Sequence, residues 1–287
     1  MPLMSLPNPF DRRRRHRRLR HLPSPPDLSG HLVVFVAGLH RSGTSILYQQ
    51  LRDHPAVSGF ADTGVPEDEG QHLQSVFANA QSFGGPGRFA FDPAARLTEA
   101  DAAALPSARY DLLLRQWGAH WDTSRPVLLE KSPPTLIRSR FFQTLFPASR
   151  FVFIVRHPLA VAYATLKWSK TTVAEAVCHW SVAHAVMCHD LARLRHVMVL
   201  RYEDYATDPE GAQLRIDAFL DLPPHRSAKE MADRNARYFA LWEDDISIHE
   251  PMRDIFGTSD GFLRRFGYRL EPPYVEPWPG LAAGGAG

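Results

Sequence analysis

Four short apolar runs punctuate the chain, at residues 32–37, 127–129, 151–155 and 197–200, each rich in β-branched or aromatic side chains. Helical sequence separates them, including a stretch from the second glycine of a glycine-rich loop to about Asp53, stopped by His54-Pro55, and another at 98–121 with Trp117 and Trp121 on one face. Continuous apolar runs separated by helices predict an α/β fold: a single domain with a central parallel sheet flanked by helices on both faces. Ligands in such sheets bind beyond the carboxyl ends of the strands. Each of the four runs leads there into a polar cluster: His40-Arg41-Ser42, Glu130-Lys131-Ser132, Arg156-His157 and Arg201-Tyr202-Glu203.

Two connecting stretches break the pattern. Residues 56–75 read as irregular and acidic, with Asp62, Glu67, Asp68 and Glu69 interrupted by Gly64 and Pro66. Residues 78–93 carry Gly84, Gly85, Pro86, Gly87 and Pro93 and predict a flexible loop able to cover a site. The expected organisation is a basic, disordered tail at 1–30, a catalytic domain at 31–271 and a flexible Pro/Gly/Ala-rich tail at 272–287.

Composition changes this picture at one place. The formal charge of +2 conceals seven arginines within residues 12–20; without them 26 basic residues face 31 acidic ones, a net of −5. The body is mildly acidic, and the tail is read as a solvated extension with weak contact to an anionic surface as its further use. No run approaches the roughly 18 apolar residues of a membrane span, and no apolar segment of secretory type follows the arginines. Two cysteines, Cys178 and Cys188, give neither a disulfide framework nor a metal motif, so a cytoplasmic setting is expected.

The first strand runs into Gly38-Leu39-His40-Arg41-Ser42-Gly43-Thr44-Ser45, which has the glycine spacing of a phosphate-binding loop. Threonine stands where the lysine that grips a nucleoside triphosphate is required. The loop therefore reads as a cradle for another phosphorylated donor, its amides directed at one oxyanion group. Lys131, beside the backbone-fixing Pro133-Pro134, and Arg156, at the end of the most apolar strand, are the positioned cations. An arginine suits bidentate phosphate binding. Among the carboxylates of 62–69 one is a candidate general base, with His40 and His72 as further proton acceptors.

These residues resemble the sulfotransferases that use 3′-phosphoadenosine-5′-phosphosulfate (PAPS). Residues 36–45 look like their 5′-phosphosulfate loop, Phe153-Ile154-Val155-Arg156-His157-Pro158 like their 3′-phosphate segment, and Leu129-Glu130-Lys131-Ser132-Pro133 like the middle of the same pattern. The resemblance extends over about 32–210 and is closest to the tyrosylprotein and bacterial carbohydrate-type branches. It implies PAPS as co-substrate, with no metal required. His40, Arg41, Ser42, Gly43, Thr44 and Ser45 would hold the phosphosulfate, Lys131 the bridging oxygen and sulfuryl group, and Arg156 the 3′-phosphate. The family's base lies 21 residues after the loop arginine, which here is Asp62; Glu67 or Glu69 can take the role instead. Where the family has a serine eight residues after Arg156 this chain has Ala164, leaving Thr165, about 100° away on a helix, Lys167 or a C-terminal basic residue to complete the contact.

The expected reaction is in-line sulfuryl transfer to a small-molecule, carbohydrate or lipid hydroxyl. Two alternatives stay open. One is a divergent nucleoside or sugar kinase, with Glu203 and Asp204 as metal ligands. The other is a non-catalytic phosphate-binding module docked to nucleic acid or membrane by the arginine tail.

Overall fold

The structure, a computed structural model, describes residues 23–226, 232–256 and 260–281. Five parallel strands form its sheet: β1 (Leu32–Ala37), β2 (Val57–Gly59), β3 (Val127–Lys131), β4 (Arg150–Val155) and β5 (Val197–Arg201), in the order β2-β3-β1-β4-β5. The helices used below are α1 (Thr44–Arg52), α2 (Glu99–Ala103), α3 (Ser107–Gly118), α4 (Ser139–Leu145), α5 (Pro158–Thr165), α6 (Val173–Leu191), α7 (Tyr202–Thr207), α8 (Pro209–Phe219) and α9 (Ala236–Asp244).

The apolar runs explain the layering. On one face Val33, Phe35, Leu128, Phe151 and Phe153 pack with Trp117 of α3, Phe142 of α4 and Trp180 of α6. On the other, Val34, Val36, Val127, Leu129, Val152 and Ile154 pack with Leu47 and Leu51 of α1 and Ala212 and Ile216 of α8. β1, β3 and β4 are therefore apolar on both sides, as a covered parallel sheet requires. Phe35 stacks on Phe142 at 4.8 Å and on Phe151 at 5.3 Å. Burying one such ring is worth roughly 1.5–3 kcal/mol.

Strand order sets the site. β1 is central, with Val36 level with Lys131 of β3 and Ala37 level with Phe153 of β4. The chain leaving β1 thus emerges between Lys131 and the residue that follows β4, Arg156.

The fold departs from the sequence reading in four places. A fifth strand, β2, lies inside the stretch read as irregular; three residues are too few to show a period, and pairing with β3 forms it. The helix expected over 98–121 is two, because Pro106, at ψ 141°, ends one run and starts α3. Residues 26–28 belong to the domain, with Pro26 against Gly118 and Leu28 on the core. The expected flexible tail from 272 begins as a packed segment: Val275 bridges Tyr268, and the Trp278 indole donates to the Arg265 carbonyl at 3.0 Å. The arginine run at 12–20 and residues 282–287 lie outside the described residues.

Loss of hydration depresses His40, His157, His179 and His184 to about 3, from an ordinary value of 6.5. The unfolded chain takes up these protons near 6.5 and the folded protein only near 3, so their contribution is intact above 6.5 and is lost as pH falls towards 3. The buried carboxyls Glu130 and Glu203, both raised by burial, oppose this but are fewer. Thermal unfolding followed by circular dichroism is expected to show a midpoint that drops steadily between pH 6.5 and 5; a flat midpoint there would contradict neutral buried histidines.

Candidate functional site

The loop after β1 is shaped by close approach. A side chain at Gly38 would run into the Ile154 carbonyl of β4, so only glycine lets the chain leave the sheet there. Arg41 (φ 70°) and Gly43 (φ 99°) then take left-handed conformations that turn the chain into α1. Gly43 caps that helix with no side-chain hydrogen bond, which leaves the first-turn amides directed at the loop's concavity.

Around it lies a cleft of about 370 Å³, lined by His40, Arg41, Thr44 and Ser45 on the loop side. Glu67, Glu69, His72, Gln81 and Pro86 line it from the two irregular stretches, and Pro133, Thr165 and Trp168 complete it. This is small-ligand size. The segment at 78–93 forms short 3₁₀ turns, and its Gln81 and Pro86 sit at the cleft wall.

Lys131 ends β3 fully buried. Its ammonium donates to Glu69 Oε1 at 3.1 Å and to the Glu67 carbonyl at 2.9 Å, and lies 6.0 Å from the Tyr48 ring. Glu69 is buried as well; its second oxygen accepts from the Gln71 side-chain amide and lies 3.7 Å from His72 Nε2. Burial lowers His72, so the imidazole beside this carboxylate is neutral near pH 7. Glu67 is exposed and accepts a 2.8 Å hydrogen bond from the Ser45 hydroxyl.

Asp62 is not brought to this group. It is exposed, at φ 52°, and is not among the residues lining the cleft. Backbone reversals explain the offset: Asp62, Gly64, Glu67 and Asp68 all have positive φ, and Asp68 ties the turn by accepting from the Thr63 amide and hydroxyl. The chain so folded presents Glu67 and Glu69.

Arg156 lies buried behind the loop. Its Nε donates to Asn235 Oδ1 at 2.8 Å, its Nη1 to the Arg41 carbonyl at 2.9 Å, and its guanidinium stacks 4.0 Å from the Tyr202 ring. Nη2 is buried with no hydrogen-bond partner, as are the Ser42 hydroxyl and His40 Nδ1. Such orphans are costly in a finished core and are what an absent anionic ligand would satisfy. Thr165 reaches the cleft although its hydroxyl bonds back to the Val161 carbonyl; Ala164 points into an apolar cluster instead. The α5 face turned to the cleft is the threonine's, one residue beyond the family's serine position.

One group escaped the sequence reading. Asn235 joins Arg156 to Glu203, which it contacts at 2.6 Å, from a position with no local motif. Glu203 and Asp204, the metal ligands of the kinase alternative, are committed elsewhere: Glu203 to the His157 amide, Asn235 and the Tyr268 hydroxyl, Asp204 to Arg201. Among the described residues, no three His, Cys, Asp or Glu side chains gather as a metal site, and no helix is long and apolar enough to cross a membrane.

Comparison with known proteins gives the family of the chain. The chain is 28% identical over 236 residues to protein-tyrosine sulfotransferase 2 of Gallus gallus, covering 73% of this chain and 59% of that protein. It is 28% identical over 269 residues to protein-tyrosine sulfotransferase of Drosophila melanogaster, covering 86% and 48%. The chain thus spans about half the length of these relatives. The crystal structure of sulfotransferase STF9 from Mycobacterium avium shares the fold, with a TM-score of 0.50 and 17% identity over 90% of this chain and 81% of that one. The family model described as "Sulfotransferase family" matches residues 34–226, and the chain belongs to that family.

Proposed function

We propose that the protein transfers a sulfuryl group from PAPS to an acceptor hydroxyl and that Glu69 is the base. The observation that carries the reading is the buried Lys131–Glu69 pair at the lip of the phosphate-type loop. The loop amides, Arg41 and Thr44 would hold the phosphosulfate; the free Nη2 of Arg156, together with Thr165 of the cleft wall, would take the 3′-phosphate. PAPS supplies, when bound, the sulfuryl group and a phosphate leaving group.

Glu69 accepts the acceptor's proton as the new S–O bond forms and the bond to the phosphate oxygen breaks. Lys131, released from Glu69 as that carboxylate gains its proton, stabilises the negative charge left on the phosphate oxygen. A positioned lysine suits this exchange because its flexible stem lets one ammonium serve both partners.

For the acceptor, the reading keeps a small-molecule, carbohydrate or lipid hydroxyl, supported by a narrow cleft with several hydrogen-bonding groups and one exposed indole, Trp168. A tyrosine-bearing peptide is the second reading, favoured by the names of the relatives. A screen with ³⁵S-labelled PAPS against sugar, lipid, phenol and tyrosine-peptide acceptors decides between them. The cytoplasmic setting belongs to the same reading and rests on two unpaired thiols.

Glu69→Gln is expected to lower kcat by roughly 100-fold or more, the scale of general-base catalysis, with affinity for 3′-phosphoadenosine-5′-phosphate (PAP) unchanged by calorimetry. Asp62→Asn should stay within about twofold of the parent; the reverse result would return the role to Asp62. Arg156→Ala should weaken PAP by roughly 10- to 100-fold, as for a lost charged hydrogen bond. Arg156→Lys should restore little of it, since lysine cannot reproduce the fork.

A further inference from the structure

Glu130, next to Lys131 on β3, is fully buried on the opposite face of the strand, and its role is not explained by donor binding. The turn at 69–72 straddles the strand end. Glu69 reaches Lys131 on one side, and Gly70 lies directly on the Glu130 carboxyl on the other, so close that a side chain at 70 would overlap it. Ser132 links the two: its hydroxyl donates to Glu130 Oε1 and accepts the Gln71 amide at 2.9 Å. The Gln71 side chain in turn donates to Glu69, and the Trp117 indole fixes the Gly70 carbonyl at 2.9 Å.

We propose that Glu130 is a positioning residue for the base: through Ser132 and Gln71 it holds the turn that aims Glu69 at Lys131. The inference rests on the reading of Glu69 as base. Glu130 Oε2 is buried with no hydrogen-bond partner, and the residue borders a small void with Gln71, Thr135 and Arg138, so one oxygen anchors the turn while the other makes no competing hydrogen bond. Glu69, Lys131 and Tyr48 act on its charge, Arg138 stands across the void, and burial with Glu69 nearby raises its pKa to about 8. The group is thus a neutral acid at pH 7, a form that glutamine imitates.

The experiment uses the full chain, with PAP release from PAPS as the activity, water serving as acceptor if no better one is found. Glu130→Ala is expected to lower kcat at least tenfold while leaving PAP affinity by calorimetry and acceptor KM within about twofold. Glu130→Gln should recover to within about threefold of the parent. Ser132→Ala, which cuts the link without touching the carboxyl, should lower kcat about fivefold. In a Glu69→Gln background, Glu130→Ala should cost nothing more, since the base it positions is gone.

A second readout needs no turnover. Folded Glu130 holds its proton up to about 8, against an ordinary 4.5, so this group's contribution to stability is greatest below 4.5 and is lost as pH rises through 8. The unfolding midpoint of Glu130→Gln should therefore exceed that of the parent by more at pH 8 than at pH 5. Full activity in both Glu130→Ala and Ser132→Ala, or losses additive with Glu69→Gln, would overturn the inference alone. Full activity in Glu69→Gln would overturn the base assignment and this inference with it. Should Glu130→Ala fail to fold, Ser132→Ala and the pH dependence of Glu130→Gln decide.

Discussion

Everything at the site turns on a lysine that the sheet buries. Lys131 is the last residue of β3, flanked by a central strand and an edge strand, and its stem lies where water does not reach. An ammonium there costs several kcal/mol unless partners replace its hydration. The chain supplies them from one turn, with the Glu69 carboxylate and the Glu67 carbonyl. That demand explains why Asp62, Glu67 and Asp68 all take left-handed conformations, an expensive choice for aspartate and glutamate. The strain is repaid by delivering a carboxylate to the buried Lys131 ammonium.

The cations of the site are distributed rather than concentrated. In a lysine-bearing phosphate loop one segment carries both the amides and the charge. Here Thr44 occupies the lysine's place, and charge arrives from three strand ends: Arg41 after β1, Lys131 in β3 and Arg156 after β4. The sheet order makes this work, because β3 and β4 flank β1. Arg156 has a second duty. Its Nη1 holds the carbonyl of Arg41, a residue in the left-handed region, so the group assigned to one end of the donor also fixes the loop assigned to the other.

Much of this was legible in the chain. β1, the loop, α1, β4 and β5 announce themselves through apolar runs that stop at polar clusters, and Lys131 and Arg156 stand at ends where ligands of parallel sheets bind. Where the structure departs from the reading of the chain, the cause is shared: counting along the chain assumes regular backbone. Counting 21 residues from Arg41 reaches Asp62, but the reversals beyond it hand the cleft to Glu67 and Glu69. Helical geometry correctly separates Ala164 from Thr165, yet the side facing the cleft depends on how α5 docks, and docking buries Ala164. β2 and Asn235 left no local signal, since one is formed by its neighbour and the other by contacts 32 and 79 residues distant.

The two ends of the site are supported differently, and this follows from their charges. Arg156 sits between Tyr202 and Tyr238 rings, at 4.0 and 5.5 Å, and donates from Nε to the side-chain amide oxygen of Asn235. Glu203 stands behind that amide, so the negative charge is one residue removed from the guanidinium. A directly paired carboxylate would compete with an incoming phosphate; an aromatic stack and a neutral amide orient the fork while leaving Nη2 for the ligand. At Lys131 the logic is reversed. There the carboxylate is in direct contact, which suits the proposed exchange of partners by Lys131 and the proposed proton uptake by Glu69. Burial forces both arrangements, and the identity of the partner decides whether a cation is held for binding or for turnover.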